Sequence, residues 1–384
     1  MNLKVLQITP FFSPDRGGIQ TYVRGLAEGL VFNGVETTVL TTSSLSGYPT
    51  DGETVYEIIR CPRDIVFFKG LISVSLFSQI LHETEFDVCH VHIPFPLGLE
   101  VAALHRATHG TPLVATHHGE GFFGSLGYRV LRRSYWALSS SVSYQLLNSI
   151  VFLSRSYASS LRLPVGIDQR IRIVPGGVDT DRFSPSKASQ EIRASAYRHA
   201  EFVILLVASL SKFNRYKGVD VLLRSFAVAL HSGRNALLAI IGEGPLRRVY
   251  ETLAKSLGIS NSVYFAGEVS DEELPALVAS ADAFVMPSVR GPESYGLAVL
   301  EAMSSGVPPI VTNLPGISEL VSNRSDGLVV EAGNTHSLCK AIELIRDDEI
   351  LRKTLSINAR IKALERTWNR VAQKMARVYT EVIP

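Results

Sequence analysis

The chain has 384 residues, with 38 basic side chains against 36 acidic ones and a formal net charge of +2, a near balance that excludes a protein holding nucleic acid through bulk electrostatics. A content of 46% hydrophobic and 19% charged residues excludes a disordered or fibrous chain, and the length exceeds what one hydrophobic core usually supports, so two domains are expected. Cys61, Cys89 and Cys339 are far apart and lack a metal-spaced histidine partner, so neither a disulfide framework nor a zinc site is expected and a reducing cytoplasm fits best.

Met1 to Ile8 runs straight into strand-like sequence without the charged and apolar regions of a secretory signal, so export by that route is not expected. Short apolar runs rich in β-branched residues then recur between longer amphipathic stretches: Val5–Ile8, Thr37–Leu40, Val88–His92, Leu113–Thr116, Ile150–Leu153 and Ile171–Val174. Continuous apolar runs mark strands buried on both faces, so the first half reads as a parallel sheet with helices on both sides. Gly70 to Leu81 is uncharged and largely apolar, but a helix needs roughly 20 residues to cross a bilayer, so no integral membrane segment is expected. After the polar stretch Asp179 to Ser189 the pattern repeats with Val203–Val207, Leu237–Ile241, Val263–Ala266, Ala283–Met286 and Pro309–Thr312. Trp368, Val371, Met375, Val378 and Tyr379 then lie at helical spacing and predict a closing amphipathic helix over about 367–384.

Open α/β sheets bind ligands at the carboxyl ends of their strands, and five segments follow predicted strands directly. In Phe11 to Gly18 the paired Gly17 and Gly18 precede a helix, where backbone amides approach a phosphate or sugar, unless this is only a turn. Thr116-His117-His118-Gly119-Glu120 ends a strand in imidazoles, either ligand contacts or locally satisfied histidines; His90 and His92 are read as structural. Lys212, Arg215 and Lys217 cluster cations ahead of a helix, suiting a diphosphate or merely a solvated face. Gly242-Glu243-Gly244-Pro245 is a tight turn that lines a nucleotide pocket or simply joins strand to helix.

The fifth segment, Pro287 to Met303, is the most specific. Its Gly- and Pro-rich loop delivers Glu293 to a helix start, with Glu301 inside that helix. Helical throughout, residues eight apart would be separated by about 12 Å of rise, too far for an acid and base acting across one glycosidic bond at roughly 5 to 9.5 Å. Two such carboxylates suit different parts of one elongated ligand, with the amides of Ser294, Tyr295, Gly296 and Leu297 on an anionic phosphate; a nucleotide sugar has that shape.

This ordered set, with Pro175-Gly176-Gly177-Val178-Asp179 and Arg182-Phe183 at the domain junction, Lys217-Gly218 and the Glu293-x7-Glu301 spacing, resembles the retaining GT-B glycosyltransferases of family 4. That family includes phosphatidylinositol mannosyltransferases, sucrose-phosphate synthases and bacterial polysaccharide transferases. The resemblance covers nearly the whole chain and implies an α/β, GT-B fold: two Rossmann-like, doubly wound parallel-sheet domains facing across a cleft that holds the active site. Residues 1–183, joined by the closing helix, would bind the acceptor, and 184–366 the donor.

It further implies that Gly17 and Gly18 approach the donor phosphate or acceptor, and that His118 and Glu293 lie at the transferring sugar as catalytic residues. Lys217 would neutralise the diphosphate, Glu301 would hold the ribose, and Gly242 and Ser294 to Leu297 would contact the donor. No cofactor and no metal are implied, since the nucleotide sugar is a co-substrate. The family commonly has Gly-Arg-Leu after the first strand of the second domain, whereas this chain reads Ala208-Ser209-Leu210; Lys212 or Arg215 is the expected substitute for that arginine.

A hexose would pass from GDP-mannose or a UDP-sugar to a glycan, lipid-linked or small-molecule hydroxyl, with retained configuration, in cell-envelope polysaccharide or glycolipid synthesis. Arg129, Arg132 and Arg133 near Tyr128, Tyr135 and Trp136, and the run Phe67-Phe68-Lys69, suit peripheral contact with the inner face of the cytoplasmic membrane or ordinary helix packing. A nucleotide-sugar epimerase or hydrolase of the same fold and a catalytically silent nucleotide-sugar binder are the alternatives, and no nucleic-acid partner is expected.

Overall fold

The computed structural model describes residues 3–43, 54–67, 70–119, 135, 142–230, 235–291 and 293–384. The chain divides into two compact units, Met1–Gly177 with Trp368–Pro384, and Val178–Thr367. The first holds β1 (Lys4–Ile8), β2 (Glu36–Thr42), β3 (Glu57–Cys61), β4 (Ile65–Phe67), β5 (Gly70–Ile72), β6 (Val88–Ile93), β7 (Leu113–His117), β8 (Ser149–Phe152) and β9 (Ile171–Ile173). The second holds β10 (Phe202–Val207), β11 (Ala236–Ile241), β12 (Val263–Gly267), β13 (Ala283–Met286), β14 (Pro309–Thr312) and β15 (Leu328–Val330).

Both main sheets are parallel throughout: β3-β2-β1-β6-β7-β8-β9 in the first unit and β12-β11-β10-β13-β14-β15 in the second. The apolar runs dictate this, since β11 is buried at every position and β10 at all but its last, as strands covered by helices on both faces must be. The strand order reverses between β1 and β6 in one sheet and between β10 and β13 in the other. Those switch points open crevices at the carboxyl ends of the strands.

Four strands lie beyond the expected set. β3 and β15 are sheet edges, and β4 and β5 form a separate antiparallel pair. The half-buried Glu57-Ile-Ile-Arg-Cys61 does not make a continuous apolar run, and three-residue strands leave no period to read.

The division falls at Gly177, earlier than the expected 183, because the intervening residues are bonded to the second unit. Val178 N–H donates to Arg366 O at 2.9 Å, and the buried Phe183 offers its carbonyl to Ser304 Oγ at 2.6 Å and Arg360 Nη1 at 2.9 Å. The closing helix, Trp368–Val382, packs on helix Gly18–Phe32 of the first unit. A Cβ on Gly25 would lie 2.2 Å from the Trp368 ring, and one on Gly29 2.7 Å from the Trp368 carbonyl, so the two helices touch backbone to indole only because these positions are glycine.

Candidate active site

In the first unit the loop after β1 leads through Gly17 into helix Gly18–Phe32. Gly17 is extended, with φ 165°, and a Cβ there would meet the Gln20 side chain at 2.6 Å; at Gly18 a Cβ would have nothing within 4 Å. Two arginines that the motif reading missed hold this loop. Arg60 Nη2 donates to Ser13 O at 2.5 Å, and Arg63 pairs with Asp15 at 2.8 Å, donates from Nε to Thr42 Oγ1 and covers the Phe11 ring.

The two histidines at the end of β7, His117 and His118, part company. His117 turns into the core, stacks on Phe152 and accepts at Nδ1 from Gly119 N–H, while His118 turns to the other side of the sheet. There its Nε2 lies 3.0 Å from His92 Nδ1, and His92 Nε2 lies 3.0 Å from Gln7 Oε1. His92, expected to be a bystander, is therefore in direct contact with the candidate catalytic histidine. Strand alternation is the reason: Cys89, Val91 and Ile93 face the apolar core, so His90 and His92 share the opposite face. His90 is bonded to Tyr379 OH at 2.6 Å and to Thr116 Oγ1 at 2.7 Å, and Tyr22 sets its ring edge-on to His118 at 4.7 Å.

Burial keeps this cluster uncharged. Loss of solvent, with His90 and His117 nearby, pushes the His118 pKa down to about 3; burial takes His90 to about 3 and His117 to about 4 and holds His92 well below its ordinary value.

In the second unit, Lys217 ends the short helix Lys212–Lys217 after β10, and Glu293 lies in the loop after β13. The pairing of β10 with β13 brings them together. Lys217 Nζ lies 2.5 Å from Glu293 Oε2, and Ser288 Oγ donates to the same oxygen at 3.2 Å. Burial alone would depress the Lys217 ammonium, yet the Glu293 carboxylate and the Tyr216 phenol outweigh it and raise its pKa. Burial, reinforced by Glu293, pushes the Tyr216 phenol up to about 12.

Glycines let the backbone close around this pair. Gly218 has φ 70°, and a Cβ on it would lie 2.1 Å from Pro287 O; Gly316 has φ 91°, and a Cβ on it would lie 2.2 Å from Glu293 O. Gly316 was missed by the motif reading, although its place in a Pro-Gly turn after β14 is the signal that marks it.

Helix Leu297–Ser304 begins only after Gly296, itself at φ 92°. Glu293 is thus on the incoming loop and Glu301 on the helix, as the loop-then-helix reading of this segment expects, so the spacing of a helix continuous through both does not apply. Ser294 and Tyr295 are buried beside Glu293, and Gly296 accepts the first helical bonds from Val299 and Leu300. The leading amides, around Leu297, open the helix at its electropositive end.

Gly242 and Gly244 serve the protein's own packing. Their Cβ atoms would meet Ala208 O at 2.0 Å and the Leu210 carbonyl carbon at 2.4 Å, and Leu210 N–H donates to Glu243 O while Leu246 N–H donates to Leu210 O. The loop after β10 is thereby zipped to the loop after β11. Ser209, Lys212 and Arg215 are exposed along it.

Arg129, Arg132, Arg133, Tyr128, Trp136, Phe68, Lys69, Glu120 and Pro292 lie outside the described residues. Tyr135 donates to Glu100 Oε1 at 2.7 Å and accepts from Leu97 N–H at 2.8 Å. Among the described residues no group of three or more His, Cys, Asp or Glu side chains is placed to hold a metal ion, and no helix is long and apolar enough to cross a membrane.

Residues 16–182 match the family described as Glycosyltransferase Family 4, and residues 191–362 the family described as Glycosyl transferases group 1. The GDP-mannose-dependent alpha-(1-6)-phosphatidylinositol monomannoside mannosyltransferase of Mycobacterium tuberculosis is 27% identical over 386 residues, 97% of each chain. A D-inositol 3-phosphate glycosyltransferase of Corynebacterium jeikeium is 28% identical, covering 96% of this chain and 93% of the relative. Among solved structures, Anabaena HepE in complex with UDP and glucose superposes with a TM-score of 0.79 at 18% identity, over 99% of this chain and 100% of that one. Sucrose-phosphate synthase from Thermosynechococcus elongatus gives 0.77 at 21%, over 99% and 98%.

Proposed function

Since the chain belongs to the GT-B glycosyltransferases of family 4, we propose that it moves a hexose from a nucleoside-diphosphate sugar to the hydroxyl of a glycan, lipid-linked or small-molecule acceptor, with retention of configuration and without a bound metal. The observation that carries this reading is the Lys217–Glu293 pair at the carboxyl ends of β10 and β13, beside the N-terminus of the helix that bears Glu301. A cation, an anion and the leading amides of a helix there follow two paired strands of one sheet. That set suits a diphosphate flanked by two hydroxylated groups.

In this reading Lys217 and the amides around Leu297 take up the charge that develops on the departing diphosphate. Glu293 accepts hydrogen bonds from the transferring sugar, Glu301 from the ribose, and His118 contacts the sugar. Ser209 stands where the family commonly has arginine, and Lys212 or Arg215, both exposed on the same loop, supplies the second cation. GDP-mannose is the favoured donor, because mannosyltransferases named for it are 27% identical over nearly the whole chain. Their phosphatidylinositol-linked acceptor favours a glycolipid at the cytoplasmic membrane face.

A thermal-shift screen against UDP-, GDP- and ADP-sugars tests the donor, since a ligand at 100 times its dissociation constant stabilises by about 2.7 kcal/mol. A selective shift with GDP-mannose supports the reading. Incubation with nucleotide sugar alone separates the rivals: an epimerase or hydrolase alters the donor without acceptor, and a silent binder leaves it intact under every acceptor.

A further inference from the structure

We propose that Gln7 and His92 are positioning residues for His118, forming a hydrogen-bonded chain across the sheet that fixes which of its ring nitrogens carries the proton. The kinetic consequence rests on the transferase reading with His118 at the sugar. The chain of bonds does not.

In the amide orientation present, Gln7 sets Oε1, an acceptor, 3.0 Å from His92 Nε2, which makes that nitrogen the donor. A neutral imidazole has one N–H, which leaves a lone pair on His92 Nδ1. His118 Nε2, 3.0 Å away, must then donate to it, so the lone pair of His118 is placed on Nδ1. Burial keeps both rings neutral, so neither escapes the constraint by carrying two protons. A ring in this form accepts a hydrogen bond from a sugar hydroxyl at Nδ1 and cannot donate there.

Two further observations point the same way. Gln7 and His92 are both fully buried, and Gln7 Nε2 is buried without a hydrogen-bond partner, so an apolar side chain would be the less costly choice for the fold alone. The Tyr22 ring also lies edge-on to both imidazoles, at 5.9 Å from His92 and 4.7 Å from His118, and so limits their rotation. The device is the one that metal-binding histidines use, in which the partner of the remote nitrogen selects the tautomer of the working one.

The test uses full-length protein carrying 15N-labelled histidine. His118 should show a protonated Nε2 and an unprotonated Nδ1, with a nitrogen–nitrogen coupling from His118 Nε2 to His92 Nδ1. Gln7→Leu should abolish that coupling and lower kcat about tenfold, with the donor KM changed by less than about twofold. His92→Phe should lower kcat at least as far, and adding Gln7→Leu to it should cost nothing more, because the chain is already cut.

Melting midpoints confirm that each variant is folded. A proton on His118 Nδ1 in the unsubstituted protein, an unchanged kcat in Gln7→Leu, or additive losses in the double variant would each overturn the proposal. A protein that transferred no sugar from any donor would overturn the transferase reading instead, and the nitrogen signals would still decide this one.

Discussion

Lys217 and Glu293 neutralise each other inside the second unit, their side chains 15% and 10% exposed, so each is costly to remove alone. Glu293→Ala leaves a buried ammonium uncompensated and should destabilise by on the order of 3 kcal/mol, read as a shift of the denaturation midpoint. It should also slow transfer by about 10²–10³; a variant with full activity would remove Glu293 from the site. Gly218→Ala forces a side chain into the left-handed region 2.1 Å from Pro287 O and should cost more than about 1 kcal/mol.

The residue types at this site were legible in the sequence, because a cation before a helix and a carboxylate after a Gly-rich loop are local signals. Their meeting was not. Lys217 and Glu293 stand 76 positions apart, and only the lateral pairing of two strands joins them. His92 was hidden for a similar reason: read by itself it is a polar residue in a strand, and its partner comes from the neighbouring strand end.

At the scale of elements, the central strands were readable because a parallel sheet covered on both faces demands unbroken apolar runs. The edges β3 and β15 and the β4–β5 pair were not, since partial exposure and shortness remove the signal. The junction 178–183 shows another limit: Asp179 caps a local turn, bonding Asp181 and Arg182 N–H, but its allegiance to the second unit comes from Arg366, Ser304 and Arg360, far along the chain.

The buried histidines of β6 and of the end of β7 carry their own prediction. His90, His92, His117 and His118 are held neutral in the folded state, whereas each takes up a proton near its ordinary value of 6.5 once exposed. Below that pH the unfolded chain binds protons that the folded chain does not, so stability should fall steadily as pH drops from 6.5 towards 4. Melting midpoints across that range check it, and a flat profile would contradict the buried, neutral cluster. The contact of helices Gly18–Phe32 and Trp368–Val382 is equally exposed to test: Gly25→Ala drives a methyl into the Trp368 ring and should destabilise by about 1–3 kcal/mol.

For the whole molecule, two α/β units each carry a strand-order reversal, and chemistry-bearing side chains meet in both: His118 with His92 and Gln7 in one, Lys217 with Glu293 in the other. Such a division suits a reaction with two substrates. The most direct measurement is transfer of radiolabelled hexose from GDP-mannose, and from UDP-glucose in parallel, to phosphatidylinositol-linked and glycan acceptors, with Glu293→Ala as control and the anomeric configuration of the product read by NMR. The expected result is label in an acceptor product of retained configuration, dependent on Glu293. Loss of label to water alone, an inverted product, or equal transfer by Glu293→Ala would contradict it.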